Sequence, residues 1–254
     1  MFSSLIKTTV AAGGAFIGLK LKKTSFADGA TWNYDWDQKE ALTPSKETGE
    51  CAQTYTRDIL LVSHGDTRLT PSLDPGLSSM GIKQAVKLGA FLASEGLHER
   101  ITQVHVSDTK RTRETWKYIR KEILETNSDS LCKINIMLEN DLKDGFPGVP
   151  NPPSSVNEFN LSHHYLVGGV KMNESFKRFI HRPSKQKNSV ELFICHPNVV
   201  RYFVAKALQV PEIWSRLYLA PCAVTHLKIA DDGVVTLGSF NNGAFLSKDL
   251  NPLD

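Results

Sequence analysis

Two apolar runs that each end in a histidine constrain this chain most. They are Leu60-Leu61-Val62-Ser63-His64-Gly65 and Phe193-Ile194-Cys195-His196-Pro197-Asn198. A strand covered on both faces of a parallel sheet reads as an unbroken hydrophobic stretch. In open α/β sheets, ligands sit just beyond the carboxyl ends of such strands. Histidines placed at two such ends, though far apart in sequence, can face each other across one pocket. One imidazole can then act as a nucleophile and the other as its electrostatic partner. The plainer alternative is two unrelated structural histidines, since the chain has eight.

The remaining pattern extends the α/β reading. Ile59–Val62 is a strand. Ser79 to Glu95 places Ile82, Ala85, Val86, Leu88, Gly89 and Leu92 at helical spacing, with Ser79 as the expected N-cap. Gln103–Val106 is a short strand, followed by a helix from Thr109 to Leu124. Lys133–Leu138 alternates as a strand does, and the proline-rich segment 145–153 is a loop. Asn173–His181 and Val199–Leu208 read as helices on either side of the strand Val190–Cys195. Val224–Ile229 and Val234–Phe240, joined through Asp231-Asp232-Gly233, form a hairpin. Strands separated by helices predict a doubly wound, mostly parallel sheet flanked by helices. No internal repeat and no second core is legible.

Three segments follow: 1–27, 28–56 and a domain from 57 to 254. The first carries Lys7, Lys20, Lys22 and Lys23 and no acid, so the rest of the chain holds one more acid than it has bases. That balance does not describe a nucleic-acid binder. Thr8–Leu19 is uncharged, and Phe2–Leu19 approaches the ~20 apolar residues of a membrane span if Lys7 snorkels to the interface. An uncleaved mitochondrial membrane anchor is the reading adopted; a soluble tail and a secretory signal are the alternatives. Cys51, Cys132, Cys195 and Cys222 form no CxxC and read as reduced thiols.

Segment 28–56 reads as a polar linker with two motifs. Trp32-Asn33-Tyr34-Asp35-Trp36-Asp37 sets three aromatics among acids, which calls either for a partner surface or for packing onto the chain's own domain. Glu47-Thr48-Gly49-Glu50 is an acidic turn of the kind that docks on an arginine-lined pocket.

Two further elements join the histidines. After the Gln103–Val106 strand, Arg111 falls in the first turn of the next helix, where backbone N–H groups already favour an anion and an arginine fork adds bidentate phosphate recognition. Lys110 and Arg113 read as solvated. Asp144 opens the proline-rich loop, where a carboxyl group of raised pKa can protonate a leaving oxygen.

His64-Gly65, the Ser107-xxx-Arg111-xxx-Thr115 element, the Asp144 loop and His196 together resemble the histidine phosphatase (phosphoglycerate mutase-like) superfamily. Leu77-xxx-Gly81-xx-Gln84-Ala85 is similar to that family's first helix. Trp32–Asp37, Phe179-Ile180-His181-Arg182 and the run from Phe193 to Tyr202 resemble its mitochondrial protein serine/threonine phosphatases. The resemblance spans about residues 32–245. It implies that His64 becomes a phosphohistidine, that Arg111 and His196 hold phosphoryl oxygens, and that Asp144 protonates the leaving oxygen and then activates water. It implies no metal and no cofactor. It also implies phosphorylated protein substrates, a protein kinase among the partners, the mitochondrial outer membrane as location, and homo-oligomers assembled through Trp32, Trp36 and Asp37. Residues Glu47, Thr48, Gly49 and Glu50 are similar to a docking site for a Kelch-domain adaptor.

Four positions depart from the family pattern. Ser63 stands where the family has arginine, and loss of one such transition-state partner costs about 10²–10³ in rate. Arg68, five residues on, or the Ser63 hydroxyl itself are the two phosphate-binding replacements the sequence offers. Asp144 replaces a glutamate, and Asn33 and Tyr34 replace an acid and a proline. Two function classes therefore stand first: an active or weakened protein phosphatase, and a membrane-tethered pseudophosphatase scaffold that binds phosphoproteins. A small-metabolite phosphatase or mutase is the third.

Overall fold

The computed structural model describes residues 31–39, 54–126, 134–150 and 158–250. The expected anchor at 1–27 and the Glu47–Glu50 motif lie outside these residues. By contacts the chain divides into Met1–Asn33 and Tyr34–Asp254. The second unit thus begins well before residue 57, because Trp36 and Asp37 pack into it.

That unit is built on one six-stranded sheet. Its strands are β1 (Thr56–Ser63), β2 (Gln103–Ser107), β3 (Asn135–Glu139), β4 (Ser189–Cys195), β5 (Val224–Ala230) and β6 (Val235–Asn242). Their order is β3-β2-β4-β1-β5-β6. β1 to β4 run parallel, whereas β5 is antiparallel to β1 and β6 to β5. The helices are α1 (Ser79–Ser94), α2 (Leu97–Arg100), α3 (Lys110–Thr126), α4 (Glu158–Phe179) and α5 (Pro197–Ala207).

Side chains alternate across a strand, so β1 feeds two cores. Ile59 and Leu61 join Phe193, Phe176, Phe179, Val199 and Phe203 on one face, under α4 and α5. Leu60 and Val62 join Val104, Val106, Leu192, Ile194, Leu88, Leu92 and Ile119 on the other, under α1 and α3. Each such fully buried side chain contributes about 1.5–3 kcal/mol relative to exposure. The helix after β1 covers one face and the helix after β4 covers the other. The two chains therefore part at the carboxyl ends of adjacent strands, which opens a crevice there.

Two expected helices change. The N-cap of α1 is Ser78, not Ser79: its Oγ accepts the Gly81 N–H at 3.1 Å. α4 starts at Glu158 and ends at Phe179, far longer than the expected Asn173–His181. Gly168-Gly169 weakens the helical signal but is needed by the packing. A Cβ at Gly168 would stand 2.5 Å from the Phe146 carbonyl oxygen, and one at Gly169 would stand 2.8 Å from that of Pro147. The loop after Asp144 lies directly on these glycines.

Candidate active site

Parallel register brings the two histidines together. Ser63 pairs with Cys195 across β1 and β4, so the next residues, His64 and His196, leave the sheet side by side. The His64 N–H still donates to the Cys195 carbonyl at 3.0 Å. The two rings meet edge to face with centroids 5.2 Å apart. Behind His64 the chain crosses α1 through a glycine pair: a Cβ at Gly65 would lie 2.6 Å from the Gly81 carbonyl oxygen. The Gly65 N–H donates to Thr115 Oγ1 at 3.1 Å, which ties the loop to α3.

Hydrogen bonding sets the tautomer of each ring. His64 Nδ1 lies 2.8 Å from the Gly65 carbonyl oxygen. A carbonyl only accepts, so Nδ1 carries the proton and Nε2 keeps its lone pair. Burial lowers the His64 pKa to about 4, and the Arg111 charge adds to this against the opposing pull of the Gly65 carbonyl and Asp66. His64 is thus neutral and nucleophilic at pH 7. His196 is fully buried. Arg111 Nε–H donates to its Nδ1 at 3.3 Å, so its Nε2–H donates to Ser107 Oγ at 2.9 Å. Burial, then His64 and Arg111, push the His196 pKa down to about 2. In this state Arg111 presents the donors, and a phosphoryl dianion beside His196 would draw a proton onto it. The neighbouring Cys195 thiol is inert, its pKa pushed up to about 12 by burial.

Arg111 reaches the pocket from the first turn of α3. Its side chain is 13% exposed and lies between two carboxylates, with Nη1 3.6 Å from Asp74 Oδ1 and Nη2 3.8 Å from Asp144 Oδ2. Burial raises the Asp144 pKa above the usual carboxylate range, against Arg111, the Gly145 N–H at 3.0 Å and Arg201. Asp144, with its side chain 43% exposed at the pocket mouth, is thus shifted toward its protonated form. The loop that carries it is tied down where Asn198 Nδ2–H donates to the Gly145 carbonyl at 3.1 Å.

Neither replacement for the family arginine makes a bond to the histidines or Arg111 among the described residues. The Ser63 side chain is buried and its Oγ–H donates to the Ala220 carbonyl at 3.1 Å. Its only proton is spent there. Arg68 is exposed, with Nε–H held by the Leu77 carbonyl at 2.8 Å and its N–H by the Gly76 carbonyl at 3.0 Å. Both phosphate-binding assignments are corrected on this ground: side-chain direction at a strand end and in a loop is set by neighbours that spacing does not reveal.

The structure assigns Trp36 and Asp37 to packing within the chain, the second of the two readings. Trp36 Nε1–H donates to the Gly233 carbonyl at 2.9 Å, and its ring meets Phe176 with centroids 5.9 Å apart. Asp37 takes a forked pair of bonds from Arg182, with Nη2 at 2.6 Å and Nε at 2.9 Å. Burial alone would raise the Asp37 pKa, but Arg182 holds it below the usual range. Trp32 falls in the unit Met1–Asn33.

Sequence reasoning gave no role to Ser107, Asp74, Asn198 and Arg201. Ser107 stood in the quoted motif, and Asn198 and Arg201 in the run from Phe193 to Tyr202, so the signal for these was present. Asp74 gave none. It caps α3 by accepting the Lys110 N–H at 2.9 Å, which aims Arg111 inward. A separate groove of about 770 Å³ lies toward the amino ends of β1, β2 and β4. Its buried carboxylates are already matched: Glu191 to Arg57 at 2.6 Å and Glu139 to Arg178 at 2.9 Å. It is a structural ion-pair network. Among the described residues, no group of three or more His, Cys, Asp or Glu is placed to hold a metal ion, and no helix is long and apolar enough to cross a membrane.

A family model described as the histidine phosphatase superfamily (branch 1) matches residues 59–130. The human serine/threonine-protein phosphatase PGAM5, mitochondrial, is 31% identical over 98% of this chain and 91% of its own length. Its Xenopus laevis counterpart is 30% identical over 96% of this chain and 92% of its own length. Among solved structures, phosphoglycerate mutase from Plasmodium falciparum superposes with a TM-score of 0.51 at 25% identity, covering 76% of this chain and 94% of that one.

Proposed function

The chain belongs to the histidine phosphatase superfamily, and we propose that it is a protein serine/threonine phosphatase working through a phosphohistidine at His64. The observation that carries this reading is the His64 tautomer: Nδ1–H is bound to the Gly65 carbonyl, which leaves an unprotonated Nε2 beside His196 and Arg111. His64 Nε2 attacks the phosphorus of a phosphoserine or phosphothreonine as the bond to the side-chain oxygen breaks. Asp144 gives that oxygen its proton, and Arg111 takes up charge developing on the phosphoryl oxygens. Water then attacks the phosphohistidine, Asp144 accepts its proton, and the P–N bond breaks to release phosphate and restore His64. The relatives' names and the acid-free, lysine-bearing segment 1–27 support a mitochondrial setting with that segment as membrane anchor.

The pH profile tests the assignment of roles. His64 must be unprotonated, so kcat/KM on a phosphoserine peptide rises through about pH 4. Asp144 must be protonated, so the rate falls again as its carboxyl ionises, above the usual carboxylate range. The maximum is expected on the acid side of neutrality, and Asp144→Asn lowers the rate and removes the alkaline limb. An alkaline limb that survives Asp144→Asn assigns the proton to another group.

One feature favours the scaffold reading: with Ser63 and Arg68 both bonded elsewhere, Arg111 stands without a second arginine at position 63. Turnover is then low and phosphoprotein binding is the main activity. Ser63→Arg separates the two readings. It is expected to raise kcat on a phosphoserine peptide about tenfold or more. Thermal melting of the variant measures what the exchange of a buried serine costs the fold. A well-folded variant with unchanged kcat places the limit elsewhere, and wild-type turnover no faster than the uncatalysed rate leaves the scaffold.

A further inference from the structure

α5 leads away from the histidines and carries Asn198 and Arg201 one turn apart, hence on one face. Asn198 joins this face to the Asp144 loop. Its Nδ2–H goes to the Gly145 carbonyl, and its Oδ1 accepts Arg201 Nη1–H at 3.2 Å. Among the described residues that is one bond for a side chain with five donors. Arg201 Nε is buried with no hydrogen-bond partner among the described residues. Among the described residues no carboxylate lies within 4.0 Å of the guanidinium, although Asp144 and Arg201 act on each other from farther off. The role proposed for Asp144 removes even this compensation, because a protonated Asp144 carries no charge. Burial also disfavours the cation. A half-buried guanidinium in this position is a cost to the folded chain unless a ligand supplies an anion.

Position identifies what the ligand is. Arg111 bears on His64, His196 and Asp144 alike, whereas Arg201 bears on Asp144 and is tied through Asn198 to the loop that carries it. Asp144 faces the leaving oxygen, so the ground beyond it receives the peptide and not the phosphoryl group. We infer that Arg201 receives a carboxylate side chain of the phosphorylated segment, and that the chain selects phosphoserine and phosphothreonine flanked by Asp or Glu. The planar fork matches a carboxylate through two parallel bonds. Asn198 holds one edge of the fork and joins recognition to the loop that carries the proton donor. The inference rests on the phosphatase reading of the site and deepens it.

Binding measured apart from turnover tests it. The full-length chain carrying His64→Ala is titrated by fluorescence anisotropy against labelled phosphoserine peptides bearing Glu, Gln or Lys beside the phosphoserine, on either side. Glu peptides are expected to bind about tenfold more tightly than their Gln counterparts on at least one side, and Lys peptides more weakly still. Adding Arg201→Gln brings the Glu-to-Gln ratio to about one, and Arg201→Lys restores part of it. A purely structural arginine would weaken every peptide alike and leave the ratio standing. A ratio near one in the starting protein, a ratio that survives Arg201→Gln, or no peptide binding overturns the inference. Hydrolysis of an aryl phosphate by the unmutated chain reports on the phosphatase reading separately, since that substrate has nothing for Arg201 to hold.

Discussion

Replacing His64 with alanine is expected to reduce phosphopeptide hydrolysis about 10⁴-fold or more, the scale on which removal of a covalent nucleophile is felt. The size of the effect follows from the surroundings. His64 holds the unprotonated ring nitrogen, Nε2, that is free of the hydrogen bonds fixing the tautomers. His196 Nδ1 accepts from Arg111 and its Nε2 faces Ser107, so His196 is not positioned to replace it. The buried Cys195 thiol stays protonated. Water attacking directly would keep the help of Arg111 and Asp144 but lose the preformed geometry of the ring. Removal of the side chain also leaves the fold's two cores untouched, because His64 belongs to neither. A near-native melting temperature with lost turnover is therefore the expected pair of results, read by phosphate release and thermal denaturation. Turnover within tenfold of the parent would mean that His64 is not the nucleophile.

Replacing Arg111 with methionine is expected to lower kcat about 10²–10³-fold with a smaller change in KM. Methionine keeps most of the unbranched apolar stem and removes the charged guanidinium. The expected loss lies at the upper end because Ser63 and Arg68 make their hydrogen bonds outside the pocket. A second effect separates this arginine from a surface charge. Arg111 lowers the Asp144 pKa, so its removal lets that pKa rise, and the alkaline limb of the pH profile moves to higher pH. Arg111→Lys keeps the charge but not the fork and is expected to recover only part of kcat. Equal losses in kcat for lysine and methionine would point to the fork alone. No loss in either would remove Arg111 from the site.

The strands that carry this site are legible because they are buried on both faces. Leu60–Val62 and Leu192–Ile194 are fully or almost fully buried, and a chain that must satisfy two cores has little choice but unbroken aliphatics. The histidines are legible for the same reason, as the first polar residues with ring nitrogens after those runs. Parallel register then does the rest. What escapes sequence reading is direction and closeness. Gly168-Gly169 looks like an interruption of a helix, yet it marks the place where two loop carbonyls lie on α4. Ser63 and Arg68 stand near His64 in the chain, but one side chain turns to Ala220 and the other to Leu77. Asp74 sits in the loop before α1 and reaches Arg111 by bonding the start of α3, a placement that no spacing encodes. Trp36 and Asp37 show the converse: conspicuous on a polar segment, they are bonded to Gly233 and Arg182 of their own unit.

Rapid-quench trapping tests the account most directly. The full-length chain is mixed with a phosphoserine peptide carrying labelled phosphate, stopped with alkali within a single turnover and digested. The account predicts a base-stable, acid-labile label on the peptide that contains His64, absent from His64→Ala and longer-lived when Asp144→Asn slows hydrolysis. Continued phosphate release with no label on that peptide, or with the label on another residue, would contradict it.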